Sequence, residues 1–502
     1  MKKMKNIKSI LILMVASVLF VSCEDAYDIK PAGILDDEAT FQTVEDAKTF
    51  LNGIYGLMDN TTEIYFTSVF TDEVAPSPGY NGQDKDLHRF VLDFTSGYAS
   101  AIWLKHNRVI NRVNRLVNGA DLVTVQEGEQ AELNDIVAQG KTLRALSYLT
   151  LLSYFSPDMT DDNALGAILF TNVPTVDELL PRSTNGACFA LIEEDLNYAE
   201  ANLDSHEFIY PTKSLVNAIR ARMYAYRGNY PMAKTYANKV INDYGLTLTP
   251  STPFDLSNFY KNSVTNPYRQ IWADSPARQV PSDRLENIYS LQSYSNANDY
   301  GFSPAGLYYF NVTNITGSPI WGMSLKLYDK LGQMPDDVRE YAFVDPTTDL
   351  SINAVMIDKY PGIPGGPLRN NLKLFRLSEM YLILAEAQAA AGQIDQVALT
   401  LNSVQKARST TGNAAVQSYA NATEAWGAIM DERRKELCFE GHRYVDIKRL
   451  GVLANKSIDR SDFDDEVPGM PLTISNTDHR FTLPIPSSEF FGNPGIQQNP
   501  GY

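Results

Sequence analysis

The sequence predicts a mainly α-helical fold, with a long irregular segment set between two helical parts. Three observations carry this. Apolar residues recur at helical spacing in Ser214–Tyr244 and again in Phe375–Arg408. A third pattern of the same kind joins Asp135–Phe155 to Phe189–Leu203 through a long connection. Pro250–Pro367 differs: it is rich in Pro, Gly, Asn, Ser and Tyr, and its periodicity is weak. A loop region of that length in an ordered protein is usually functional or disordered, and its aromatics argue against disorder.

At the amino end, Lys2, Lys3, Lys5 and Lys8 precede an apolar run from Ile10 to Val21. That pattern matches a secretory signal and is too short to span a membrane. Ser22-Cys23 directly after the run resembles a bacterial lipobox. The likeness implies cleavage before Cys23 and acylation of its thiol and new amine. Stable anchoring takes two or more lipid signals, so the expected state is a chain tethered to a membrane surface and not embedded in it. An ordinary secreted protein with an incidental Cys23 is the alternative. Glu24–Asp37, acidic and holding Pro31 and Gly33, reads as a tether.

Removing residues 1–22 takes away four lysines and no acid, which moves the formal charge from −17 to −21. So acidic a surface argues against nucleic acid or anionic lipid as a partner. Cys188 and Cys438 remain, both among helix-like apolar neighbours, and read as buried free thiols rather than a disulfide. No Cys/His spacing suggests zinc.

Thr43-Val44-Glu45-Asp46 reads as a capping box opening a helix with Ala47, Leu51, Ile54 and Tyr55 on one face. Residues 101–117 continue the helical spacing through Ile102, Val109, Ile110, Val113 and Leu116. In Ser214–Tyr244, Leu215, Ala218, Ile219, Met223 and Tyr226 form one face, Gly228-Asn229 the turn, and Ala233, Ala237 and Val240 the next face. In Phe375–Arg408 the faces are Leu377, Tyr381, Leu384 and Ala385, then Val397, Ala398, Leu401 and Val404, with the turn at Gly392. Small alanines at the crossing let two helices approach closely, so these read as tetratricopeptide-type pairs.

With these elements placed, the chain resembles the SusD/RagB family. Thr40-Phe41 with Leu51-Asn52-Gly53-Ile54-Tyr55 is similar to its opening helix, and Arg144-Ala145 with Tyr148, Tyr154 and Phe155 to its next signature. Pro181-Arg182-Ser183-Thr184 also fits. The most specific stretch is Glu432 to Arg449, containing Glu440-Gly441-His442-Arg443. The tail, Leu483-Pro484-Ile485-Pro486 and Gln498-Asn499-Pro500-Gly501-Tyr502, fits as well. The likeness covers nearly all of the chain after Cys23. It implies a SusD-like helical fold, an outer-membrane lipoprotein on the cell surface, and a partner SusC-like TonB-dependent transporter to which bound glycan is delivered. Some relatives capture peptides instead, so the fold leaves the ligand open.

The expected organisation is a signal at 1–22, an anchor and tether at 23–37, and a helical part at 38–249. A loop-rich ligand region follows at 250–370, then a second helical part at 371–502.

The Glu432–Arg449 run, with His442 between Glu440 and Arg443, invites a catalytic reading. Helical spacing of its charges and a helix stop at Gly441 favour a structural ion-pair corner. Sugar recognition needs flat aromatic faces and amide or carboxylate partners for hydroxyls. The middle segment offers Trp272, Tyr294, Asn296, Tyr308, Tyr309 and Trp321; an early cluster offers Tyr65, Asp72, Glu73, Tyr80, Asn81 and Asp84. Any single aromatic is more often core than platform. Tyr80, between Gly79 and Asn81, stands out as a loop residue, whereas Trp103 on a helix reads as packing. The acidic run from Asp459 to Glu466 lacks the spacing of an EF-hand and reads as a solvated loop, with calcium binding as the alternative; no other cofactor is expected. No GxSxG, HExxH, P-loop or dinucleotide fingerprint occurs. The expected function is therefore oligosaccharide binding without catalysis. Peptide capture, a surface glycoside hydrolase and a pure scaffold are the rivals.

Overall fold

The computed structural model describes residues 37–175, 177–253, 266–272, 285–292, 319–361, 370–465 and 469–502. Helix α1 (Val44–Tyr55) starts at the expected capping box. Asp46 N–H donates to the Thr43 hydroxyl at 3.2 Å, and Thr43 N–H donates to the Asp46 carboxylate at 2.8 Å. Helix α2 (Thr61–Phe70) follows and is buried along most of its length, then β1 (Val74–Pro76) and the long α3 (Gly97–Gly119). Helix α4 (Gln130–Phe155) is buried from Leu133 almost to its end and forms the centre of the first part. At Gly140 a Cβ would come within 2.8 Å of the Leu116 side chain, so glycine lets α4 lie against α3 without displacing it.

Strands β2 (Leu165–Ile168) and β3 (Arg182–Thr184) pair antiparallel and lead into α5 (Asn185–Asn202), which packs along α4. This is the third expected helix pair. The first is α6 (Lys213–Tyr226) and α7 (Tyr230–Asp243), turned by Gly228 at φ +74°. Thr212 caps α6 and Asn229 caps α7. The second is α10 (Leu377–Ala390) and α11 (Ile394–Arg408), turned by Gly392 at φ +70°. Tyr381 and Leu384, expected on its inner face, are only half-buried. Helix α10 is buried around most of its girth because α7, α11 and α12 (Ala422–Glu436) all pack on it.

The middle segment is less irregular than its composition suggests. Strand β4 (Asn287–Leu291) pairs with β6 (Leu372–Arg376), and β5 (Trp321–Met323) pairs with β1. Helices α8 (Leu325–Leu331) and α9 (Val338–Phe343) follow. These strands escaped sequence reading for a physical reason: β4 and β5 are buried at every residue, so neither alternates.

The carboxy-terminal part is locked by buried ion pairs. Glu436 accepts from Arg376 at 2.7 Å, Arg408 at 2.8 Å and Arg339 at 3.1 Å. Glu286, far away in sequence, bonds Arg376 at 2.7 Å and Arg408 at 2.8 Å. Glu440 bonds Arg376 and Lys359, and Glu432 bonds Arg339. All of these groups are buried. Burial opposes ionisation of Glu436, but Arg408, Arg376 and Arg339 outweigh it and hold its carboxyl far below the usual range. The expected structural corner is what forms, with one correction. Helix α12 stops at Glu436 and not at Gly441. Lys359 donates to the carbonyls of Glu436 and Cys438, and Arg376 also takes Glu436 O, so side chains satisfy the last turn. Helix α13 (Arg443–Leu450) follows. His442 is buried, and burial with Arg222, Arg433, Arg376 and Arg449 around it keeps its pKa well below the ordinary value.

The tail returns to the first part. Leu483 N–H donates to Tyr154 O at 2.7 Å, and Asn499 donates to Phe155 O at 2.9 Å. Arg182 donates to the Asn499 side chain at 2.9 Å and to the carbonyls of Gly166, Phe155, Leu165 and Gln497. Cys188 and Cys438 are buried free thiols, pushed up by burial to about 11 and about 12. Among the described residues no helix is long and apolar enough to cross a membrane.

Candidate ligand-binding site

The loop between β1 and α3 carries the only sequence-expected ligand residues that the described structure leaves at the surface. Its first turns are fixed by pairing: Ser77 N–H donates to Ile320 O at 3.1 Å and Gly79 N–H to Pro319 O at 2.8 Å. That extends the β1·β5 ladder and presents Tyr80. The Tyr80 ring, half-buried, rests on the Trp321 indole with centroids 4.9 Å apart. Asn81 beside it is exposed.

Beneath this ledge runs a chain of hydrogen bonds. Trp321 Nε1–H donates to the Tyr65 hydroxyl at 2.9 Å. Tyr65 donates in turn to Asp84 Oδ2 at 2.6 Å. Burial first, and then the Asp84 carboxylate, raise the Tyr65 pKa well above its ordinary value, so the phenol keeps its proton. Tyr98, at the start of α3, stacks on Tyr65 at 5.7 Å. His88 also packs on Trp321, at 5.2 Å; burial and Arg460 push its pKa down to about 3, so it is neutral. A cleft of about 380 Å³ opens along the loop, lined by Asp84, Asp86, Asp93 and Tyr98 among others. Half-exposed phenol rings with adjacent carboxylate and amide groups can hold a polyhydroxylated ring by face contact and hydrogen bonding.

The other expected residues lie elsewhere. Asp72 is in the interior: Arg443 grips it at 2.8 and 2.9 Å, and Asp459 N–H donates to it at 2.9 Å. Burial opposes its charge, but Arg434 and Arg443 prevail and hold its carboxyl well below the usual range. Trp272 is wholly buried, with Lys359 Nζ 4.4 Å and the Arg376 guanidinium 4.8 Å from its ring centre. It roofs the ion network and offers no face to a ligand. Trp321 is also wholly buried and serves as the floor under Tyr80 rather than the platform itself. Tyr294, Asn296, Tyr308, Tyr309 and Cys23 lie outside the described residues. Sequence reading overlooked Tyr98, whose place just after Ser96-Gly97 at a helix start was the available signal. Trp103 is core, as expected, with its Nε1–H on Glu489 at 2.8 Å.

The acidic run is partly tied down. Asp464 is buried and accepts from Ser461 N–H at 2.8 Å, and Asp465 pairs with Arg89 at 2.8 Å. Among the described residues no group of three His, Cys, Asp or Glu side chains converges as a metal site would.

Comparison with known proteins agrees with this architecture. Residues 357–502 match the family described as the SusD family. SusD-like protein P2 of Formosa agariphila is 25% identical over 540 aligned residues, which cover 99% of this chain and 100% of the relative. A SusD superfamily protein from Bacteroides vulgatus superposes with a TM-score of 0.73 at 23% identity, over 92% of this chain and 100% of that one. A SusD-like carbohydrate binding protein from the same organism gives 0.68 at 21% identity, over 91% and 98%. At these identities the solved structures speak for the fold. The match to the SusD family thus falls on the stretch that holds the ion-paired corner, and the chain is similar to SusD-like proteins over nearly its whole length.

Proposed function

We propose that the protein is a lipid-anchored, outer-membrane surface lipoprotein that binds oligosaccharide on the Tyr80 ledge and delivers it to a SusC-like TonB-dependent transporter, without breaking bonds itself. The single observation behind the binding step is the supported ledge. Tyr80 stands on buried Trp321, and Trp321, Tyr65 and Asp84 are tied in one hydrogen-bonded chain. A ring fixed in this way loses little freedom when a sugar stacks on it. Asn81 and Asp84 supply hydroxyl partners, and Tyr294, Asn296, Tyr308 and Tyr309 complete the expected set. The anchor and the transporter rest on the lipobox at Cys23 and on family likeness.

Weak binding suffices for a carrier that must release its cargo. Affinities from millimolar to micromolar correspond to about −4 to −8 kcal/mol. Calorimetry on the full chain against neutral glycan and peptide panels tests the reading. Heat with glycans supports it; heat with peptides alone replaces it with peptide capture. Release of reducing ends from polysaccharide would replace it with hydrolysis.

A further inference from the structure

A second concavity shares no residue with the ledge. Helix α1, the first half of α4 and the connection from α5 to α6 enclose an open groove of about 820 Å³. That lies within the roughly 300–1,000 Å³ of small-molecule sites. Its floor is built. Asp135 and Gln139 are buried residues, and their side chains are bonded to each other at 2.7 Å. Asp135 also accepts from Asp204 N–H at 2.8 Å and from His206 Nε2 at 2.8 Å. Tyr55 donates to Gln139 Oε1 at 2.5 Å.

These bonds pin the connecting segment against α4 and hold two rings at the groove wall. Tyr55 and Tyr210 meet edge-on with centroids 5.6 Å apart, and Tyr210 remains 38% exposed where it lines the groove. Asn52 and Asp204 lie on the same lining and are exposed. Lys48, the lysine of the lining, is paired with Glu132 at 3.1 Å. An open aromatic face beside fixed amide and carboxylate groups suits a sugar ring. The acidic balance favours an uncharged sugar. Gly140, next to Gln139, touches Leu116 in α3, whereas Tyr98 at the ledge lies about five turns, or about 27 Å, earlier along that helix.

We propose that this groove is a second saccharide-binding site, so that one long neutral glycan engages the molecule at two places. The inference rests on the reading that the protein binds glycan at the ledge. Linking two weak sites by one ligand raises avidity without any new contact.

His206 lies in the groove and provides a local reporter. The chain has five histidines, and the His206 ring resonance is identified by its absence in His206→Gln. Full-length protein is titrated with maltoheptaose, cellohexaose, mannohexaose and xylohexaose, following heat and imidazole resonances together. A probe that evolves heat is expected to shift the His206 signal. In Tyr80→Ala the overall affinity drops at least fivefold while the His206 shift persists at higher ligand. Tyr210→Ala, and independently Asn52→Ala, abolish that shift while their melting temperatures stay near the parent's. Heat with a silent His206 overturns the second site and leaves the ledge reading standing. Loss of the His206 shift in Tyr80→Ala also overturns it. Neither heat nor shift with any probe overturns both.

Discussion

Tyr80 rests on Trp321, 4.9 Å between ring centres, and the two differ in what they expose: one ring is half-buried, the other wholly buried. The pair therefore separates binding from folding. Tyr80→Ala removes only the outer ring, and glycan affinity is expected to drop about fivefold to tenfold, or about 1–1.5 kcal/mol. Trp321→Ala empties the floor and strips Tyr65 of a donor, which costs about 3–5 kcal/mol of stability. Calorimetry and urea unfolding of the two variants check the contrast. Equal loss of stability in both would refute it.

The ledge selects on charge. Asp84, Asp86 and Asp93 line its cleft with Lys85, and the whole chain carries a formal charge of −17. Acidic polysaccharide meets repulsion there that neutral polysaccharide does not. Neutral oligosaccharides are expected to bind, and uronate oligomers of equal length to bind at least tenfold more weakly at low salt. Raising the salt should narrow that gap, because exposed charges are screened. Tight, salt-weakened binding of the uronates would contradict the prediction.

Glu436 bonds three arginines at once, so removing its charge strands buried cations. Glu436→Gln is expected to destabilise by about 3–5 kcal/mol, measured by denaturant unfolding. A change within 1 kcal/mol, on the order of an exposed pair, would show that the network is solvated.

Glu73 gives a pH signature. Its carboxylate accepts from Ser68 Oγ at 2.7 Å and from Phe439 N–H at 3.1 Å. Burial still dominates and raises its pKa from 4.5 to about 7. Between those values the folded chain binds the proton and the unfolded chain does not. This group's contribution to stability therefore declines as pH rises from about 4.5 to about 7, and the penalty is complete above that. Glu73→Gln removes the penalty. Its melting temperature relative to the parent should rise between pH 5 and pH 8; a flat difference would count against the assignment.

What could be read in advance was local. The Thr43–Asp46 capping box and the turns at Gly228 and Gly392 depend on neighbours three or four residues away, and all formed as expected. The Glu432–Arg449 corner was legible as structural, but its partners were not, because Glu286, Arg339, Arg376 and Arg408 come from distant elements. The same reason moved the end of α12: Lys359 closes it from far away in the chain. For the ligand residues, composition could name rings but not their depth. Trp272 and Trp321 were candidates beside Tyr80, but one lies under buried cations and the other in a paired strand, which only the tertiary structure reveals. Tyr65 and Asp84 were in the early cluster, yet the bond from Trp321 to Tyr65 across more than two hundred residues has no local signature.

Arg182 has one further consequence. Five neutral oxygens hold its guanidinium, and two of them, Asn499 Oδ1 and Gln497 O, are synthesised more than three hundred residues later. Until that strap arrives, the cation beneath it stays wet and the end of α4 lacks the donors from Leu483 and Asn499. A ribosome-bound or clipped chain ending before the strap should therefore present a loose, protease-sensitive first half. Closure of the whole molecule waits for its final stretch.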